Sequence, residues 1–77
     1  MIDARLGRVI AETFAVDEVG LTAESGADTI DGWDSVGQLG LVMAIEKRFG
    51  VRFPTEKITE LDTAGKIEDA LRELGAL

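Results

Sequence analysis

The sequence predicts a small all-α protein, a four-helix bundle with one long loop. Apolar residues recur at helical spacing in three separate stretches, and no stretch reads as a credible strand. The apolar content is 45%, yet the only aromatic residues are Phe14, Trp33, Phe49 and Phe53. The core must therefore be aliphatic, which suits packed helices. A chain of 77 residues, taken as a single domain over 1–77, supports one small core rather than a core plus a deep cleft.

The first helix is expected over about 3–15. Leu6, Val9, Ile10 and Phe14 fall on one face, Arg5, Arg8 and Glu12 point outward, and Asp3 is placed to cap the N-terminus. Over 16–34 the pattern dissolves into acids, glycines, Thr and Ser. This loop is unusually long for a compact domain, a trait of functional or mobile segments. Val16, Val19, Leu21, Ile30 and Trp33 are available to pin it, Leu21 and Ile30 foremost.

The second helix is expected over 35–49. Leu41, Ile45 and Phe49 form its buried stripe, Gln38 closes that stripe one turn earlier, and Val42 adds to it. Ser35 with Gln38 fits a capping box, with Asp34 as the alternative cap. Val36, Gly40, Met43 and Lys47 project onto another face, which sets two apolar side chains beside Ser35. Gly37 and Gly40 each cost about 1 kcal/mol relative to Ala inside a helix. Either another surface approaches closely there or the cost is simply tolerated. Gly50 suits the left-handed residue that ends many helices.

Pro54 holds Phe53 extended. A short helix is expected over about 55–61, carrying Ile58 and Leu61, and a last helix over 63–74, capped by Asp62 or Thr63. Ala64, Ile67, Leu71 and Leu74 make its stripe, and Glu68 with Arg72 an i,i+4 ion pair.

The net charge of −7 is confined to one interval. No base occurs between Arg8 and Lys47, whereas Glu12, Asp17, Glu18, Glu24, Asp28, Asp31 and Asp34 all precede the second helix. Nucleic acid is a poor partner for such a chain. The acidic segment reads either as a solubilising loop or as a docking field for basic partners.

With no Cys and no His, disulfides, thiolate nucleophiles, Cys/His zinc sites and the usual neutral-pH general base are missing. The acids from Asp28 onward do not make a calcium loop, because Ile30, Gly32 and Leu39 fall where ligands belong. Asp17-Glu18 and Glu68-Asp69 are read as solvated pairs, with no cleft to tune them for acid-base work. Ser35 lies in no Gly-x-Ser-x-Gly elbow and has no base, so it is no nucleophilic catalyst. A non-enzymatic protein, cytoplasmic, without a membrane span and monomeric, is expected.

Asp34-Ser35-Val36, followed by Leu41-Val42-Met43-Ala44-Ile45-Glu46, Phe49-Gly50-Val51 and Pro54, resembles the acyl carrier proteins. The resemblance covers about Asp3 to Leu74. It implies that a phosphopantetheinyl transferase attaches the 4′-phosphopantetheine arm of coenzyme A to Ser35, and that acyl groups ride as thioesters on the arm's thiol. It further implies that Asp34 assists the transferase near that enzyme's metal ion. Val36, Met43, Glu46, Asp31 and Asp28 become candidate contacts for acyl- or aminoacyl-loading and processing enzymes. A protein without cysteine must import its thiol, and a phosphate suits a helix N-terminus.

Several residues depart from the family pattern. Val36 stands where Leu is usual, and after Asp34 the second helix keeps only Glu46 as an acid, with Gly40, Lys47 and Arg48 in a face that is acidic in carriers of fatty-acid synthesis. This points to a specialised carrier whose docking charge is displaced into the loop. Trp33 before the motif resembles carriers of dedicated pathways. Asp34, where peptidyl carriers tend to have His, argues for the acyl side, with aminoacyl loading or an unmodified helical adaptor as alternatives.

Overall fold

The computed structural model describes residues 2–77, with helices α1 (Ala4–Phe14), α2 (Ser35–Phe49), α3 (Thr55–Ile58) and α4 (Ala64–Glu73). The buried side chains form one cluster, built on Leu6 and Ile10 of α1, Leu41 and Ile45 of α2, and Ile67 and Leu71 of α4. α1 and α2 run antiparallel. Arg5 at the start of α1 lies over the Phe49 ring at the end of α2, and Phe14 at the end of α1 stacks on Trp33 just before α2, with ring centroids 5.3 Å apart.

Asp3 caps α1, accepting from the amides of Arg5 and Leu6. The Arg5 guanidinium beside it holds the Asp3 carboxyl below its ordinary range, with the backbone donors adding to the effect. A lowered carboxylate pKa stabilises the fold above its ordinary value, and that contribution fades as the pH falls through the lowered one. Gly50 ends α2 at φ 66°, as its position predicts.

The loop is far more ordered than its composition suggests. It contains a 3₁₀ turn at Glu18–Gly20, capped by Asp17, and it fastens onto the start of α4. A helix leaves its first amides without intrahelical acceptors, and the loop supplies two of them. The Ala64 amide donates to the Ser25 carbonyl at 2.8 Å and the Gly65 amide to the Ala23 carbonyl at 2.9 Å, while Thr63 Oγ1 accepts from Lys66. The Ala27 amide returns a bond to the Asp62 carbonyl at 3.0 Å. Gly26 is required at this crossing, since a Cβ there would lie 2.1 Å from the Asp62 carbonyl oxygen.

The structure corrects several expectations. Val19 does not pin the loop: it is 87% exposed, whereas Trp33 is 2% exposed and belongs to the core. Ser35 is not the cap of α2 but its first helical residue. Asp34 caps, accepting from the Gly37 amide at 2.9 Å, because Gln38 is engaged elsewhere. α3 stops at Ile58 instead of running to 61. Tight bonds from Glu60 to the Lys57 carbonyl and from Leu61 to the Ile58 carbonyl turn Leu61 into the core. Leu74 lies beyond the last helical turn and is largely exposed.

Glu68 is the largest reversal. Rather than a solvated charge it is buried, and its Oε2 accepts from the Asp3 amide at 2.7 Å while Arg72 pairs with Oε1 at 3.5 Å. It therefore latches the start of α1 to α4. Removing an acceptor strands its buried donor at a cost of about 1–3 kcal/mol. Glu68→Ala is expected to lose stability in that range in urea denaturation, and an unchanged midpoint would show that water replaces the latch.

Candidate functional site

Ser35 reaches the surface because three residues before and after it are held from below. Asp34 caps the helix, Trp33 is buried against Phe14, and Gln38, one turn on, is half-buried between Trp33 and the turn after α3. Trp33 Nε1 donates to Gln38 Oε1, and Gln38 Nε2 donates to the carbonyls of Ile58 at 2.7 Å and Leu61 at 2.8 Å. With its polar neighbours satisfied, this turn is fixed while Ser35 itself stays exposed. Among the described residues the Ser35 hydroxyl has no hydrogen-bond partner, and the amides of Ser35 and Val36 have no acceptor. An exposed hydroxyl beside free amides at the positive end of a helix is suited to carry an anion.

The chain contains two serines, and the other behaves differently. Ser25 is half-buried in the loop, where its Oγ accepts from the Thr22 amide at 2.9 Å. Of the two serines, only Ser35 has a hydroxyl without a hydrogen-bond partner among the described residues.

Beside Ser35 lies an open groove of about 530 Å³ between the start of α2 and α3. Trp33, Leu39 and Ile58 give it an apolar lining, Gln38 closes one side, and Asp34 and Asp62 stand at its edge. On the outer face of α2, Val36 is 80% exposed and Met43 68% exposed, as the helical projection predicts. Leu39, 57% exposed, extends this strip. Sequence reasoning missed it, although its i+3 offset from Val36 carries the signal.

Asp28 and Asp31 are exposed on the loop that leads to Ser35. Glu46 is placed differently: its Oε2 accepts from the Phe53 amide at 2.8 Å and ties the segment after α2 to the helix. It is half-buried, so part of its carboxylate is committed to this internal tie.

Residues 4–71 match the family model described as a phosphopantetheine attachment site, a span that includes Ser35 and nearly the whole helical bundle. The acyl carrier protein AcpXL of Rhizobium etli is 42% identical over 65 residues, covering 82% of this chain and 68% of the relative. The chain belongs to the acyl carrier protein family. A second relative, the acyl carrier protein AcpXL of Brucella melitensis, is 40% identical over the same shares of the two chains. Both relatives fit the specialised type of carrier that the weakly acidic α2 implies. Members of the family hold 4′-phosphopantetheine covalently, and this carrier has the features such a group needs: a free hydroxyl, unpaired amides for its phosphate and an adjoining groove for its arm. Among the described residues, no helix is long and apolar enough to cross a membrane.

Proposed function

We propose that this chain is a non-catalytic carrier domain whose arm is attached at Ser35. The observation that carries the reading is the contrast between the two serines, one committed inside the loop and the other exposed, unbonded and seated at the N-terminus of α2. In the attachment step the Ser35 oxygen forms a bond to the phosphorus that bears the pantetheine, and the pyrophosphate bond of coenzyme A breaks. The adenosine nucleotide leaves, and the serine proton passes to the transferase. The attached arm supplies the thiol on which acyl groups are held as thioesters.

Asp34 keeps the α2 cap closed so that Ser35 is presented to the transferase, and the free amides of Ser35 and Val36 stabilise the added negative charge. Incubation with coenzyme A and a broad-specificity phosphopantetheinyl transferase is expected to add one arm by intact mass, and fragmentation is expected to place it on Ser35. An unchanged mass, or the arm elsewhere, would overturn the assignment.

The exposed strip of Val36, Leu39 and Met43 supplies apolar contact for loading and processing enzymes, and the loop acids supply the steering charge. Replacing both Asp28 and Asp31 with Asn is expected to slow association with such an enzyme at low salt and to matter less at high salt. Stopped-flow association rates at two ionic strengths measure this, and equal slowing at both would remove the steering role. The carrier works in the cytoplasm, with an acyl rather than an aminoacyl group as its cargo. The carboxylate at position 34 supports the acyl side.

A further inference from the structure

We infer that Gln38 is a specificity-determining strap that keeps the tethered cargo in the outer groove, so that this carrier handles acyl groups without regard to their length. The inference rests on attachment at Ser35. The groove beside that residue is lined on its inner side by Gln38, but not by Leu61, which is buried behind it in the core. Gln38 spans the gap between them. Its Nε2 donates to the carbonyls of Ile58 and Leu61 at 2.7 and 2.8 Å, and its Oε1 accepts a hydrogen bond from Trp33 Nε1.

These three bonds use both donors of the amide and one of its acceptor sites, so the strap is nearly saturated. An alkyl chain tethered at Ser35 gains by leaving water for the Leu39 and Ile58 surface. To go further and reach Leu61, it must part Gln38 from the turn after α3. That leaves the Leu61 carbonyl, the Gln38 amide and the Trp33 indole N–H without partners, and the Ile58 carbonyl with only the Leu61 amide, in a space filled by hydrocarbon, where unpaired polar groups are most costly. Short and long acyl groups therefore stop at the same depth, and the length of a long one remains outside the bundle.

Gln38 also stands at a position of α2 where apolar residues would continue the core stripe, since Leu41 and Ile45 follow at three and seven residues. An aliphatic side chain there would extend the core toward Ser35 and open the route that the amide closes.

The test loads the full chain with acetyl and with dodecanoyl arms from the corresponding coenzyme A thioesters, checks each by intact mass, and reads the melting temperature and the emission of Trp33, the sole tryptophan. The wild type is expected to give the same melting temperature and the same emission with both groups. Gln38→Met is expected to melt about 10 °C higher with dodecanoyl than with acetyl, the shift that burying two or three methylenes gives in a domain of this size, and to change its Trp33 emission with the longer group only.

Gln38→Glu provides the second variant. It keeps an acceptor for Trp33 Nε1 but loses both donations, and is expected to show the same dependence on chain length. A merely structural role for Gln38 would lower the melting temperature equally under both loads. That result overturns the strap, as does a wild type that already responds to dodecanoyl as the variants do. A wild-type chain that takes up no arm by intact mass overturns the Ser35 assignment and the strap with it.

Discussion

Ser35→Ala is expected to abolish arm attachment completely while leaving the fold unchanged. The loss is total because the chain has only one other serine, and the Ser25 hydroxyl is engaged within the loop. The fold is spared for separate reasons. Ser35 occupies the first helical position, where Ala is well tolerated, its side chain is exposed, and the cap is Asp34. Substitutions at such exposed, unbonded sites usually change stability by less than about 0.5 kcal/mol. Thermal melts should coincide with the wild type while intact mass shows no added arm. A variant that still gains the arm would move the site away from Ser35, and one that fails to fold would show that the hydroxyl has a structural task as well.

Gly37→Ala is expected to destabilise the fold, against the usual trend for glycine inside a helix. A Cβ at this position would lie 1.9 Å from the Gly32 carbonyl oxygen and 2.9 Å from the Phe14 ring. Backbone cannot yield as a flexible side chain can, so the turn over Gly32 and Trp33 must move, and the Phe14–Trp33 stack with it. Overpacking of this kind costs about 1–3 kcal/mol or more, which exceeds the gain of about 1 kcal/mol from replacing a helical glycine with Ala.

Gly40 in the same helix supplies the contrast. A Cβ there would meet nothing within 4 Å, so Gly40→Ala is expected to stabilise by up to about 1 kcal/mol. Opposite signs in paired urea titrations would establish that α2 uses its two glycines for different ends. A destabilising Gly40→Ala would show that Gly40, like Gly37, has no room for a side chain.

The elements that sequence alone located are those fixed by local periodicity and by end residues. The 35–49 helix, the Asp3 and Gly50 caps and the exposed pair Val36 and Met43 all follow from side-chain spacing within one helix. What the sequence hid is carried by contacts between distant segments. Gln38 looks like one half of a local capping box until its partners are seen to lie 20 and 23 residues away. Glu68 looks solvated because Asp69 follows it and Arg72 is one turn on, while its principal donor is the amide of Asp3, 65 residues earlier. Glu46 has the composition of a docking face and the geometry of an internal tie. At Gly37 the two readings of a helical glycine could be separated only by the position of the Gly32 carbonyl.

The fastening of the loop onto α4 bears on when the carrier can be modified. The carbonyls of Ala23 and Ser25 have their partners at Ala64 and Gly65, and Gln38 draws its acceptors from Ile58 and Leu61, so the turn that presents Ser35 is braced by the other half of the chain. During synthesis from the N-terminus, α1 and α2 emerge first, yet these bonds cannot form until residues up to 65 are free of the ribosome. Loop closure over such a separation must precede any gain from the contacts it makes. If the arm is attached at Ser35 as proposed, a transferase that recognises the braced turn is expected to meet the folded bundle rather than its first two helices alone.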